Sequence, residues 1–332
     1  MYMNPEDWLE VVRKEYLQTF IRDGGAAVKF IVPTPEINHS GLQHKLSEVA
    51  HGEKYQFAFV DAAKTPVHMI DRLFHEVARQ VDWDDLAFSF VSRIISENGY
   101  KIPSQRQEFC LQKIAELNDR DQKRLPNELS AVLEKEFFHD YRLCQEFRIA
   151  MMQLCRAQLG MSEVPGEVIK EWLCGELRLI SAIKAAPIFQ KIVRHNARHM
   201  LSSLSYWLHL AGKTGLVMVL DISRCLVQRP TPKDPNDASR YYTKATALDA
   251  YEVLRQFIDA TDDTEFCFMA VIAPTAFLQP DDRRGVGSYD ALKLRIWDEV
   301  RDKRRANPLS LLIRLSPCPG VIAATLSSGV WE

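Results

Sequence analysis

Three features common in secreted and membrane proteins are missing from this sequence. It contains no apolar run of about 20 residues that could span a bilayer, and no basic leader followed by an apolar stretch. Its seven cysteines form no C-x-x-C pair and are odd in number, which argues against both a disulfide framework and a zinc site. We therefore expect a cytoplasmic protein with reduced thiols, no metal and no membrane contact.

A strong charge of either sign is also missing. The formal net charge of −2 creates no overall field for nucleic acid or an anionic membrane, so any such contact must come from a local patch. Hydrophobic residues make up 46% and charged residues 26% of the chain, which is ordinary for a globular protein and argues against long disorder.

Short apolar runs occur near both ends of the chain and alternate with helical patterns there. Such alternation predicts an α/β fold, with a mostly parallel sheet covered by helices on both faces. The five predicted strands are Ala26–Val32, Gln56–Asp61, Leu216–Asp221, Phe266–Ile272 and Leu309–Leu315. We expect adjacent buried strands to hold Val28, Phe30, Val219, Leu220, Met269 and Val271, with the strand ending at Asp221 beside the one that holds Met269.

The middle of the chain has a different rhythm. From about residue 66 to 211 the apolar spacing is close to that of helices, and no strand pattern appears. We therefore predict an α/β core from residues 1–65 and 212–332, with residues 66–211 as a helical insertion between the second and third strands. The core helices are predicted at Pro5–Phe20, Gly41–Ala50, Ala245–Ala260 and Tyr289–Arg305.

The eight residues after the first apolar run occupy the place of a phosphate-binding loop. A P-loop reads G-x-x-x-x-G-K-[ST], and the sequence here is PTPEINHS, in which only Ser40 matches. Pro33 replaces the first glycine and removes an N–H group, while Asn38 replaces the second glycine. His39 stands in place of the lysine, and Glu36 adds a negative charge. The loop is predicted to have lost the usual means of binding a triphosphate.

A second nucleotide motif is incomplete in the same way. A Walker B strand is apolar and ends in an aspartate for Mg²⁺, usually followed by an acidic residue that activates water. The strand ending at Asp221 keeps the aspartate, but Ile222 follows it. We predict no catalytic residue at this position.

The order of these landmarks resembles the AAA-type ATP-binding proteins of bacterial BREX phage-defence systems, the BrxD-like family. The similar stretches are Gly24–Val32, Lys64–His68, Gly215–Leu226, Ala276-Phe277, Asn307-Pro308 and Ile313–Leu315. The resemblance implies an AAA-type P-loop domain with five strands in the order 5-1-4-3-2. It also implies an intact phosphate loop, an Asp-Glu pair and a polar sensor on the fourth strand, where this chain has the apolar Ile272.

These departures predict a catalytically inactive ATPase-like subunit that needs no cofactor. Its expected role is a structural or regulatory one in an anti-phage defence complex. Its partners would be protein subunits, such as an active ATPase or nuclease, and DNA would be reached through the complex.

Two alternatives stay open at this point. The first is a weak ATPase that binds Mg-ATP through Ser40 and Asp221. The second is a DNA-binding module that uses the basic C-terminal helix, since nine basic residues face four acidic ones between positions 283 and 314. The arginines predicted to contact a partner, or to act in trans on its nucleotide, are Arg295, Arg301, Arg304 and Arg305.

One more pattern lies in the helical middle of the chain. His195 and His199 have the i, i+4 spacing of a zinc pair, but the adjacent Arg194 and Arg198 would repel a cation. With Lys184 and Lys191 these arginines are interpreted as a solvated basic helix face, with nucleic-acid phosphates as the alternative ligand.

Overall fold

The computed structural model describes residues 2–138, 140–227, 240–279, 282–297 and 306–317. The chain divides into two compact units. An α/β unit comprises residues 1–73 and 214–332, and a helical unit comprises residues 74–213.

The α/β unit is built on a five-stranded sheet in which all the strands are parallel. The strands are β1 (Ala26–Pro33), β2 (Gln56–Asp61), β3 (Leu216–Asp221), β4 (Cys267–Ile272) and β5 (Leu312–Leu315). From one edge to the other their order is β5-β1-β4-β3-β2. The predicted α/β class and parallel sheet are confirmed.

The register of the sheet confirms the predicted neighbours. Met269 lies opposite Val28 on one side and opposite Met218 on the other, so β4 separates β1 from β3. β3 and β4 are almost wholly buried, as continuous apolar runs in a parallel sheet should be. Asp61 and Asp221 are opposite each other at the carboxyl ends of β2 and β3.

Twelve α-helices are present among the described residues. In chain order they are α1 (Pro5–Val11), α2 (His39–Gly52), α3 (Ile70–Ala78), α4 (Trp83–Glu97), α5 (Leu111–Asn118), α6 (Leu125–Phe138), α7 (Gln145–Gln158), α8 (Gly166–Leu173), α9 (Ala197–Leu210), α10 (Ser223–Leu226), α11 (Lys244–Asp259) and α12 (Asp290–Ile296). Residues 66–138 and 140–211 contain no strand, as the helical spacing predicts. No helix in the described part of the chain is long and apolar enough to cross a membrane.

The first predicted helix begins where expected but does not stay α-helical. Asn4 caps α1 by accepting a hydrogen bond from the N–H of Glu6, with proline at the first helical position. From Val12 to Phe20 the chain continues in π turns. Their longer i→i+5 spacing keeps both Val12 and Leu17 on the buried face, although these residues are five positions apart.

One face of the sheet is closed by this first helical segment and α2. Trp8 and Leu46 are buried against the sheet residues Val217, Phe268 and Ile313 in one apolar cluster. At roughly 25 cal/mol per Å² of buried apolar surface, such side chains stabilise the fold by about 1.5–3 kcal/mol each. This packing fixes α2, whose first turn contains the last residues of the candidate phosphate loop.

The helical unit has an aromatic centre of its own. The ring of Phe90 on α4 lies 4.7 Å from that of Trp207 on α9 and 5.1 Å from that of Phe137 on α6. These centroid distances are typical of favourable aromatic pairs, each contributing about 0.5–1.5 kcal/mol beyond burial. The three helices are therefore held together by one cluster of rings.

Two helix predictions near the basic segments are wrong. The C-terminal helix was predicted to run from Tyr289 to Arg305, but α12 ends at Ile296 because Trp297 adopts an extended conformation. The helix of the histidine pair begins only at Ala197, so His195 precedes it and does not share a helical face with His199. The predicted basic helix face at residues 184–198 is consequently irregular chain for most of its length.

Candidate functional site

The candidate phosphate loop links the end of β1 to the start of α2. Pro33 is still part of β1 and pairs with Leu315 on the edge strand β5. Asn38 is the N-cap of α2, and its side-chain oxygen accepts a hydrogen bond from the N–H of Ser40 at 3.0 Å. The loop therefore lies at the carboxyl edge of the sheet, where open α/β sheets bind their ligands.

Backbone N–H groups in this loop are already used within the protein. The N–H of Thr34 donates to the carbonyl oxygen of Leu315 at 2.9 Å, and the N–H of Ile37 donates to that of Thr34 at 2.9 Å. Pro33 and Pro35 have no N–H group, and the N–H of Ser40 is held by Asn38. A phosphate cradle requires N–H groups that point together at an anion. At least five of the eight loop positions do not supply one.

The side chains of the loop add negative charge. Glu36 is exposed, and its carboxylate accepts a hydrogen bond from the hydroxyl of the buried Thr34 at 3.3 Å. This contact holds a carboxylate over the loop, where it would repel a triphosphate. It also occupies the only hydroxyl between β1 and Asn38.

His39 and Asp221 meet across the edge of the sheet. Nδ1 of His39, in the first turn of α2, lies 3.4 Å from Oδ2 of Asp221, at the end of β3. The other oxygen of the carboxylate accepts the N–H of Ser223 at 2.8 Å. Burial acts to raise the pKa of Asp221, but the hydrogen bonds from His39 and Ser223 outweigh it and hold the pKa below its usual range.

The other predicted site residues are arranged as follows. Ile222 is completely buried, and its N–H donates to the carbonyl oxygen of Ile272 at 2.9 Å. Position 222 thus faces the interior, and an apolar side chain there contributes to the core. The hydroxyl-bearing Ser40 is exposed in the first turn of α2. The structure brings His39 and Asp221 into contact and leaves Ile222 out of the site.

Of the four predicted interaction arginines, the structure describes one. Nε and Nη2 of Arg295 donate to the two carboxylate oxygens of Asp259, with Nη2 2.9 Å from Oδ2. This guanidinium holds the pKa of Asp259 below its usual range. Arg301, Arg304 and Arg305 lie outside the described residues. The interface role of these arginines stays a prediction, and for Arg295 it would require exchange of an existing ion pair.

The thiols and histidines offer no metal site in the described part of the chain. No group of three or more His, Cys, Asp or Glu side chains there could hold an ion. Cys155, Cys225 and Cys267 are buried, and burial raises the pKa of the last two to about 12. Cys110 is exposed and no disulfide links the described cysteines, whereas Cys318 lies outside the described residues.

Two buried cations of the α/β unit were missed by sequence reasoning. Lys29, inside β1, donates to the carbonyl oxygens of Leu309 and Ser310 at 2.5 and 3.1 Å, and burial lowers its pKa to about 8. Arg284 donates to the carbonyl oxygen of Val227 and the hydroxyl of Tyr241 at 2.6 and 2.9 Å. A lysine within the apolar run of β1 was the available signal for Lys29, while nothing in the sequence separates Arg284 from its exposed neighbours.

The fold and this edge of the sheet define an α/β protein with a five-stranded parallel sheet and a candidate ligand loop between its first strand and second helix. The family model of the BREX system ATP-binding protein BrxC/D matches residues 19–320 of the 332-residue chain. The chain belongs to this family, as the resemblance of its landmarks indicated. No curated protein and no solved structure matches the chain.

Proposed function

We propose that this chain is an ATPase-like subunit of a BREX defence complex that does not turn over ATP. Its α/β unit would be an AAA-type P-loop domain whose phosphate loop has been converted into an internally bonded turn. In this proposal the domain acts as a structural or regulatory partner of an active ATPase or nuclease, and DNA is reached through the complex.

The observation that carries the proposal is the occupied backbone of the candidate loop. Thr34 and Ile37 donate their N–H groups to carbonyl oxygens, and Ser40 donates its own to Asn38. A triphosphate would have to displace these bonds and approach the carboxylate of Glu36. His39 is the only basic side chain of the loop, and it already faces Asp221.

The alternative of a weak Mg-ATPase depends on Ser40 and Asp221. Mg²⁺ would be held by the hydroxyl of Ser40 and the carboxylate of Asp221. That carboxylate is bonded through one oxygen to Ser223 and faces His39 through the other. Binding of Mg²⁺ would have to replace the His39 contact, so this alternative is less well supported.

Calorimetry with Mg-ATP tests the proposal on the purified chain. We expect no low-micromolar binding and no release of phosphate. A matched variant, Asn38→Gly combined with His39→Lys, restores two residues of the motif and should still fail to bind tightly, because Pro33, Pro35 and the bonded Thr34 remain. Low-micromolar affinity of the natural chain, or turnover that Asp221→Ala abolishes, would show that the protein is an ATPase.

The subunit role is tested by co-expression with the proteins encoded beside this gene. At least one of them should co-purify with the chain in a defined stoichiometry. Truncation of an arginine that forms a desolvated ion pair with a partner should cost about 2–5 kcal/mol of binding, and truncation of a solvated one almost nothing. Arg295→Ala compared with Arg304→Ala/Arg305→Ala distinguishes these cases.

A further inference from the structure

The helical unit contains a surface loop that closes on itself. The segment from Leu177 to Lys191, here called the 177–191 loop, leaves the end of α8 and returns beside it. Nζ of Lys191 donates to the carbonyl oxygens of Leu177 and Arg178 at 2.9 and 3.0 Å. Nε1 of Trp172, on α8, donates to the carbonyl oxygen of Gln190 at 3.0 Å. Closed ends and this length are typical of Ω-loops, which frequently carry function.

The base of the loop is fixed by the way α8 ends. Gly175 has a φ of +73°, and its N–H donates to the carbonyl oxygen of Trp172 while that of Glu176 donates to Glu171. This pair of bonds is the Schellman motif that commonly ends helices at a glycine. A Cβ on Gly175 would lie 2.6 Å from the ring of His75, so only glycine fits there. The loop is therefore presented from a rigid base.

The interior of the loop is packed, but its outer surface is apolar as well. Ile183, Ala186 and Ile188 are completely buried. By contrast, Leu179 is 70% and Phe189 68% exposed. Leu179 follows Arg178 and Phe189 precedes Gln190, so both exposed side chains adjoin the hydrogen bonds that close the loop. Two large apolar side chains exposed near the closure of one supported loop form a candidate interaction surface.

The ionisable side chains of the loop itself are all basic. The loop contains Arg178, Lys184 and Lys191 and no acidic residue, and Arg194 follows shortly after. A hollow of about 370 Å³ lies beside Leu179, and its lining includes Arg178, Ala182 and two glutamates, Glu171 and Glu176. The carboxylate of Glu176 is paired with Arg79 at 3.1 Å. The loop itself therefore contributes only positive charge, whereas the nearby carboxylates come from outside it: Glu171 and Glu176 at the hollow, and Glu146, which accepts a hydrogen bond from Gln190.

We propose that the 177–191 loop is a docking surface for a protein partner that presents an apolar side chain flanked by aspartate or glutamate. The apolar side chain would contact Leu179, at the hollow, and the exposed Phe189, and the carboxylates would meet Arg178, Lys184 and Arg194. This inference rests on the proposed subunit role and specifies the chemistry of the partner segment.

A polypeptide fits this surface better than a nucleic acid does. The aliphatic Leu179 cannot stack on a base, whereas single-stranded nucleic acids are usually bound through several aromatic platforms. The pairing of apolar anchors with cations at the rim is the arrangement that protein interfaces use.

The experiment measures binding of the full chain to each purified protein encoded beside its gene, by biolayer interferometry at low and high salt. We expect at least one of them to bind. Leu179→Ser/Phe189→Ser should weaken that binding at least tenfold. Arg178→Glu/Lys184→Glu/Arg194→Glu should weaken it at least tenfold at low salt and less at high salt, because screening shortens the reach of the charges.

Matched controls are available on the same unit. Tyr141→Ser removes a side chain that is 84% exposed, and Lys135→Glu reverses an exposed charge on α6. Both should bind within about twofold of the natural chain, since substitutions outside the buried centre of an interface are near neutral. All the substituted side chains are at exposed positions, so the variants should fold. Thermal unfolding of each variant verifies this.

Each contrary outcome has a distinct meaning. If the natural chain binds a partner and the loop variants bind equally well, the docking surface is wrong while the subunit role stands. If no neighbouring protein binds the natural chain, the subunit role fails and the loop proposal fails with it. Binding of duplex or single-stranded DNA that is lost on charge reversal but kept in Leu179→Ser/Phe189→Ser would reassign the surface to nucleic acid. Self-association lost in the same double variant, seen by sedimentation, would reassign it to a second copy.

Discussion

The candidate phosphate loop and the 177–191 loop use their polar groups in opposite ways. In the loop of residues 33–40, hydrogen bonds within the chain take up the donors of Thr34 and Ile37, and the histidine faces an aspartate. In the 177–191 loop, Lys191 and Trp172 of α8 donate the hydrogen bonds that close the structure, while Arg178, Lys184, Leu179 and Phe189 are exposed. In the first loop, donors that a phosphate would need are bonded within the chain. The second loop leaves exposed the side chains on which the proposed docking depends.

This difference separates a loop whose donors are satisfied within the chain from a loop that leaves apolar and basic side chains exposed. A loop with satisfied donors is stable without a ligand, whereas exposed apolar side chains beside cations bring no benefit to an isolated chain. The three predictions that follow test whether the loops really differ in this way. They are ordered from the largest expected effect to the smallest.

The interior of the 177–191 loop should be essential for the stability of the helical unit. Ile183 is completely buried, so Ile183→Ala leaves a cavity and should lower the free energy of unfolding by about 2–5 kcal/mol. Urea denaturation measures this loss. The control is Leu179→Ala in the same loop, which should cost under about 0.5 kcal/mol because its side chain is largely solvated. Equal costs for the two substitutions would mean that the loop is not a packed Ω-loop.

The contact between His39 and Asp221 should stabilise the α/β unit in a pH-dependent way. Asp221→Asn should cost about 1.5–3 kcal/mol at neutral pH, the usual contribution of hydrogen bonds to a charged group. The pKa of Asp221 is lower in the folded protein than its ordinary value of 3.8. The stabilisation is therefore complete above that ordinary value and is lost as the pH falls through the lower, folded one.

Urea denaturation of the natural chain and Asp221→Asn between pH 7 and pH 3 provides the test. The difference in free energy of unfolding should stay constant down to about pH 4 and shrink below it, as expected for a carboxyl group with a depressed pKa. His39→Ala should reproduce part of the neutral-pH loss. A difference that grows as the pH falls would contradict the direction of the Asp221 shift.

The cap of α2 should make the smallest of the three contributions. Asn38→Ala removes the acceptor of the Ser40 N–H and should cost about 1 kcal/mol. Asn4→Ala, at the similar cap of α1, serves as a matched control because its side chain accepts the N–H of Glu6 at 2.8 Å. Asn38→Gly should cost only a few tenths of a kcal/mol, since glycine is itself tolerated at this position. If Asn38→Ala is neutral, the cap is not what holds the first turn of the candidate loop.

Much of the α/β unit was predictable because its strands are short, continuous apolar runs. The bounds of β2 and β3 agree with the prediction at both ends, and β1 extends one residue further, to Pro33. The edge strand β5 is shorter than predicted. It begins at Leu312, because the carbonyl oxygens of Leu309 and Ser310 accept hydrogen bonds from Lys29 on the neighbouring strand. A long-range contact of this kind has no signature in local sequence.

The basic segments were the least predictable part of the chain. Helical spacing suggested a continuous helix through Arg305, but α12 ends at Ile296. The same spacing suggested a helix through His195, whereas α9 begins at Ala197. Charged residues fit an exposed helix and an exposed loop equally well, so periodicity alone does not distinguish the two.

By itself, the sequence determined the class of the fold, the parallel strands and the loss of the phosphate-loop residues, because each of these depends on local patterns of apolar and special residues. Only the tertiary structure decided that His39 meets Asp221 and that Lys29 and Arg284 are buried. It also decided that Leu179 and Phe189 are exposed near the hydrogen bonds that close one loop. These features depend on contacts between segments that are distant in the chain. Burial and pairing of that kind follow from how the elements pack and not from the identity of neighbouring residues.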